Sequence, residues 1–170
     1  VTAMARHPFQ RDWASKLGAD HTISEGAPLE SIAQILKTRV FGKWNNRILL
    51  RGFDVVYDCV GNAATLNSAL RCVGPRGSVV LVGISMSTVK IDMSPVWLRE
   101  IEILGVHLYG HDEWENERLH TFERVLRWMT EGRFRLEGLL THCFSIADYR
   151  EALRVAKSHQ ARNLEDAQRN

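Results

Sequence analysis

Residues 53–84 read FDVVYDCVGNAATLNSALRCVGPRGSVVLVGI. Phe53 to Tyr57 and Ser78 to Ile84 are compact β-branched runs with little alternation, the pattern of strands buried on both faces of a parallel sheet. Between them Asn62 can cap a helix carrying Ala63, Leu66, Ala69 and Leu70 on one side and stopping at Gly74-Pro75. A strand, a helix and a second strand in that order make a crossover unit, whose two strands run parallel. The stretch therefore predicts an α/β fold built on a mainly parallel sheet.

The same alternation extends to either side. Val1 to Ala5 reads as a short strand, and Pro8 stands where a first helical residue should be. Phe9, Trp13 and Leu17 form one stripe of that helix, which Gly18 can close. His21-Thr22-Ile23 is extended again, and a helix opened by Pro28 carries Leu29, Ile32, Ala33 and Leu36. Phe41 to Gly52 fits neither period and reads as an irregular excursion. Ile101 to Tyr109 is a further strand. Asp112 is read as opening a helix with Phe122, Val125, Leu126 and Met129 on its buried face, ended by Gly132. Its acidic run, Asp112, Glu113, Glu115 and Glu117, then stands at the favourable end of the helix dipole. Ser145-x-x-Asp148 makes an approximate capping box before Tyr149, Ala152, Leu153 and Ala156. Strands alternating with helices predict a single domain with a twisted, mainly parallel sheet and helices on both of its faces. The expected domain spans residues 1–160, with a polar tail over 161–170.

The chain has 170 residues, 45% of them hydrophobic and 25% charged, which suits one globular domain and excludes wholesale disorder. Its 22 Lys and Arg against 20 Asp and Glu leave a net charge of only +2. The signs are interleaved, as in Arg11-Asp12, so no basic stripe points to nucleic acid. The longest apolar runs, such as Val79 to Ile84, fall far short of a membrane span of about 20 residues. Cys59, Cys72 and Cys143 form neither a metal pair nor a disulfide framework, and a reducing cytoplasm is the natural location.

In open α/β sheets ligands bind beyond the carboxyl ends of the strands. The exits to inspect are Ala5-Arg6-His7, Asp58-Cys59-Val60-Gly61, Val82-Gly83-Ile84-Ser85 and Leu108-Tyr109-Gly110. Gly61 and Gly83 can make simple turns, or can let a flat ligand approach the backbone; on neighbouring exits together they favour a cofactor crevice. Asp58, with no His or second carboxylate near it in sequence, is assigned to turn or capping work. Cys59, with nothing beside it to depress its pKa, is assigned as a small buried thiol. His107 and His111 with Asp112 invite a metal reading, but Gly110 separates the pair and no metal site is assigned. No residue is assigned to catalysis.

The stretch 53–84, together with DWASKLGADHTI after the first strand, IEILGVHLYG and the ending LLTHCFSIADYREALRVA, resembles the later half of the nucleotide-binding domain of medium-chain dehydrogenases, the zinc-type alcohol dehydrogenase superfamily. The resemblance runs over nearly all of residues 1–157, through the order and spacing of these four motifs. It implies a Rossmann fold and hydride transfer between an alcohol or carbonyl compound and NAD(P). It also implies that Ala5 and Arg6 meet the adenosine ribose and that Cys59, Val60 and Gly61 flank the adenine side. Val82, Gly83 and Ile84 would meet the nicotinamide, and the backbone of Val106, His107 and Leu108 would hold its carboxamide. Many members pair their sheets through the strand matching Ile101 to Tyr109, which implies a homodimer.

The sequence holds no GxGxxG. The family's glycine-rich loop, with its strand and helix, would precede Val1, and so would the catalytic domain that carries zinc in zinc-dependent members. The expectation is thus a truncated enzyme, inactive by itself, in which zinc could enter only through the missing domain. Arg6 following Ala5, where NAD-preferring sites carry a carboxylate, favours NADP. The alternatives are a non-catalytic binding or dimerisation module, and a methyltransferase-like Rossmann domain. The latter needs an acidic residue where Ala5 stands.

Overall fold

Thr2–Ala5 (β1) and His21–Ser24 (β2) pair in parallel, Ala5 opposite Ser24, with helix α1 (Pro8–Lys16) crossing between them. Pro8 opens α1, as its fixed φ allows, and Gly18 closes it with φ +99°. The computed structural model describes residues 1–27, 29–43, 46–133 and 136–158. Two compact units emerge: Val1–Glu25 together with the chain from Glu113 onward, and Gly26–Asp112. Pro28, expected to open the second helix, and the polar tail 161–170 lie outside the described residues.

The second unit begins with α2 (Leu29–Ile35), which buries Ile32 and Ala33. The expected irregular excursion contains an antiparallel pair, β3 (Val40–Phe41) with β4 (Ile48–Leu49). Its anchor is Leu49, which is fully buried; too few residues pair for any periodicity to show in the sequence. Then follow β5 (Phe53–Asp58), α3 (Ala63–Cys72), β6 (Val73–Leu81), α4 (Ser94–Arg99) and β7 (Glu102–Gly105). The strands form a parallel sheet in the order β5-β6-β7.

Asn62 caps α3 as expected, its side chain accepting from the Thr65 N–H at 2.9 Å. The helix stops at Cys72, two residues before Gly74, and runs directly into β6. Arg99 marks this corner: its buried guanidinium donates to the Val73 carbonyl at 2.7 Å, a cation at the negative end of α3. The core joins Ala69 and Leu70 of α3 to Val73 and Val79 of β6 and to Ile101. β6, the middle strand, buries the consecutive residues Val79 and Val80, as expected for a strand covered on both faces. β5 does not: Val55 and Tyr57, alternate residues that share one face of the strand, are exposed. The strand expected over Ile101 to Tyr109 is only Glu102–Gly105, and Leu108 beyond it has a left-handed φ of +44°.

The helix expected from Asp112 starts nine residues later. His111–Trp114 (β8) and Glu117–His120 (β9) form a two-stranded sheet around Glu115 and Asn116, whose φ values are +52° and +63°. Two consecutive left-handed residues are the signature of a tight hairpin, and Asn tolerates that conformation. The acidic run therefore belongs to a hairpin and gains nothing from a helix dipole. Helix α5 (Thr121–Thr130) follows, with the His120 ring accepting from the Phe122 N–H. Its expected buried face is largely turned outward, with Phe122, Leu126 and Met129 exposed. The buried residue is Arg124, which donates to the Glu117 carbonyl at 2.8 Å. Ser145 caps a 3-10 turn, Ile146–Asp148, before α6 (Tyr149–Ser158), so the approximate capping box serves the turn and not the helix directly. Gly138 lies against the Trp13 ring, where a Cβ would sit 3.3 Å from it.

Cys72 gives the core a pH dependence. Burial pushes its thiol up to about 11 from an ordinary 9.0. The folded chain thus keeps the thiol neutral while the unfolded chain ionises it. The associated stability is complete below about pH 9 and is lost as pH rises towards 11, a change on the order of 2–3 kcal/mol. Urea midpoints measured between about pH 8 and pH 11 should fall more steeply for the native chain than for Cys72→Ala; parallel slopes would refute the assignment.

Candidate functional site

The β5, β6 and β7 strands end level with one another. Asp58 is opposite Leu81, and Leu81 is opposite Gly105, so the three exits share one edge of the sheet. Asp58 organises that edge. Its buried carboxylate accepts from the Val60 and Gly61 N–H groups at 3.0 and 3.1 Å through Oδ1, and from the Thr65 hydroxyl at 3.1 Å through Oδ2. Its carbonyl accepts from the Val82 and Gly83 N–H groups at 2.9 and 2.8 Å. The turn and capping role expected of Asp58 is therefore what it performs. The Leu81 carbonyl takes the Val106 N–H at 3.1 Å and draws the third exit in.

Gly61 and Gly83 are adjacent. A Cβ on Gly61, whose φ is +79°, would lie 2.6 Å from the Gly83 carbonyl oxygen. A Cβ on Gly83 would run into the backbone of Val60 and Gly61. Both glycines are thus required by the contact between two exit loops, a third cause beside the turn and the ligand considered from sequence. Around them Val60, Val82, Ile84, Val106 and Leu108 are all exposed, between 43% and 67%. His107 is exposed as well. So is Cys59, against the expectation of a buried thiol; the exit loop turns it outward, and the buried thiol is Cys72. Beyond the ends of three parallel strands the chain presents a surface of apolar side chains and loop backbone, suited to a flat ring system.

Ala5 and Arg6 belong to the other unit, at the exit of β1. Arg11 folds back over this exit and donates to the carbonyls of Ala5 and Arg6, both at 3.0 Å. Arg6 faces Glu25, with Nε 3.6 Å from Oε2. Glu25 follows the last residue of β2, and its N–H reaches the Ala5 carbonyl at 3.3 Å. The strand-exit reading of the sequence passed over β2. The signal was there, since a carboxylate directly after a parallel strand obeys the same rule as the other exits.

Among the described residues, no group of three or more His, Cys, Asp and Glu is placed to hold a metal ion. Nor is any described helix long and apolar enough to cross a membrane.

Comparison with known proteins gives the following. A family model described as zinc-binding dehydrogenase matches residues 1–129. The L-idonate 5-dehydrogenase of Vitis vinifera is 29% identical over 149 residues, covering 84% of this chain and 36% of the relative. A short chain alcohol dehydrogenase from E. coli CFT073, solved in complex with NADH, superposes with a TM-score of 0.69 at 20% identity, covering 95% of this chain and 42% of that one. A chain from Sinorhizobium meliloti 1021, solved bound to NADP, gives 0.55 at 21% identity, covering 81% and 36%. At those identities the structures establish the fold. The chain spans a little over a third of the length of the curated relative.

The loop contact yields a prediction with an internal control. Gly83→Ala should lower stability by roughly 2–4 kcal/mol in urea unfolding, because the obstructing atoms are backbone. Gly105→Ala, where a Cβ meets nothing within 4 Å, should change stability by less than about 0.5 kcal/mol. Similar losses at both positions would show that the contact is not the cause.

Proposed function

The chain belongs to the zinc-binding dehydrogenase family, and we propose that residues 1–160 form part of the nicotinamide-cofactor domain of an enzyme oxidising alcohols or reducing carbonyl compounds. The observation that carries this reading is the level carboxyl edge of β5, β6 and β7, with Val60, Val82, Ile84, Val106 and Leu108 exposed beyond it. Ligands of open α/β sheets lie across such an edge. The cofactor, when bound, accepts or donates the hydride. This chain's residues bind and orient it: the Val60 to Gly61 loop beside the adenine, Val82 to Ile84 beside the nicotinamide, and the Val106 to Leu108 backbone at the carboxamide. Asp58 fixes the first two loops relative to each other. The described residues do not fit a zinc site. The free cysteines Cys59, Cys72 and Cys143 are compatible with a reducing cytoplasm, which is the location we propose.

Arg6 supports a preference for NADP, since a guanidinium at the first described strand exit can pair with a ribose 2′-phosphate. Amide chemical shifts of the chain, followed on titration with NADPH and NADH, should move at Val60 to Gly61, Val82 to Ile84 and Val106 to Leu108. Arg6→Ala should weaken NADPH roughly tenfold and leave NADH within about twofold. An equal loss for both cofactors would sink the preference, and shifts confined to other residues would sink the site.

β7 supports a second element of the reading, a homodimer. It is an edge strand of the described sheet and is exposed along its length, with Ile103 and Leu104 among the uncovered residues. An apolar edge of this kind pairs readily with a copy of itself. Sedimentation at tens of micromolar should give a dimer that Leu104→Lys converts to monomer; a native chain that runs as a monomer would overturn the assignment.

A further inference from the structure

Arg6 is the cation on which the cofactor preference above rests, and it is already engaged. The parallel register that sets Ala5 opposite Ser24 places the next residues, Arg6 and Glu25, beside each other past the strand ends. Their side chains are 3.6 Å apart, Arg6 75% and Glu25 45% exposed. Glu25 is held there by its own backbone, through its N–H on the Ala5 carbonyl. Arg11 spends one guanidinium nitrogen on the carbonyls of Ala5 and Arg6, steadying the backbone from which the Arg6 side chain extends. At this exit the Arg6 guanidinium is the one with a carboxylate facing it.

We propose that Glu25 is an internal competitor for Arg6, lowering the enzyme's discrimination between cofactors with and without a 2′-phosphate. A 2′-phosphate arriving at Arg6 must displace the carboxylate of Glu25 or share the guanidinium with it. Sharing brings a phosphate carrying between one and two negative charges close to a third. A ribose 2′-hydroxyl meets no such opposition, because it can donate to the same carboxylate while the ion pair stays closed. Glu25 thus supplies, from the neighbouring strand, the carboxylate that β1 lacks at Ala5. The pair narrows the preference for a 2′-phosphate that Arg6 alone would confer. The exposed pair is weak, so it opens on demand and does not block the site.

The proposal rests on the assignment of Arg6 to the adenosine ribose, and the test separates the two. The probes are adenosine 2′,5′-bisphosphate and adenosine 5′-monophosphate, titrated into the full chain and followed by the amide shifts of Arg6, His7 and Glu25. Glu25→Gln should tighten the bisphosphate roughly three- to tenfold and leave the monophosphate within about twofold. Arg6→Gln should weaken the bisphosphate selectively, and adding Glu25→Gln to it should recover less than Glu25→Gln gains alone. If Arg6→Gln is selective but Glu25→Gln changes nothing, the competitor role is overturned and the ribose assignment stands. If Arg6→Gln weakens both nucleotides equally, or neither nucleotide shifts these amides at millimolar concentration, the assignment and the proposal fall together.

Discussion

A buried carboxylate must find donors within the protein, and Asp58 finds three of them within seven residues of itself: two loop N–H groups and the hydroxyl of Thr65. Thr65 is also the residue whose N–H is capped by Asn62. One side chain therefore ties the end of β5, the loop after it and the first turn of α3. The Asp58 backbone carbonyl extends the tie to the start of the β6 loop. Removing the carboxylate would strand two N–H groups where the loops are pressed together, a desolvation cost of roughly 1–3 kcal/mol for each group left unpaired. These bonds draw the two loops together, and their close passage is possible because neither Gly61 nor Gly83 carries a Cβ.

The parts of the fold that were legible in the sequence are those whose burial is decided locally. The β-branched runs of β5 and β6, the Asn62 cap and the Leu66, Ala69 and Leu70 stripe all announce themselves, because a crossover unit carries its own pattern. The Pro8 and Gly18 boundaries of α1 are equally local. What failed was decided by non-local or conformational facts. Whether β5 is covered on its second face depends on what packs over that face, and no residue of FDVVY encodes that. The β8–β9 hairpin turns on two positive φ values at Glu115 and Asn116, and Glu is an uncommon residue for that conformation. Phe122, Leu126 and Met129 do have helical spacing, but spacing says only that they share a face, not that the face is covered.

The candidate site was legible at the level of strand exits and not at the level of contacts. Ordering the strands marked the exits at Val60, Val82 and Ile84, whereas Val106 entered only through the family resemblance, because the strand read over Ile101 to Tyr109 in fact ends at Gly105. The engagement of Arg6 by Glu25 could not be read, because the two are nineteen positions apart and meet only through the β1–β2 register. Cys59 illustrates the same limit: thiols are commonly buried, yet the loop that Asp58 shapes turns this one to solvent. The site combines backbone fixed by hydrogen bonds with side chains left uncovered, the arrangement that binding requires and folding alone does not.

The first unit is assembled from both sides of the second. Val1–Glu25 belongs with residues from Glu113 onward, and the packing of Gly138 against Trp13 is one point where the two segments meet. On the ribosome, the β1–α1–β2 segment emerges and then waits while Gly26–Asp112 is made, on the order of 4–18 s at typical elongation rates. The second unit, contiguous in sequence, can complete its sheet during that interval. The first cannot, and until its return segment arrives Trp13 has no Gly138 to pack on. Nascent-chain length, rather than intrinsic folding speed, therefore sets when Trp13 acquires the surface it packs on.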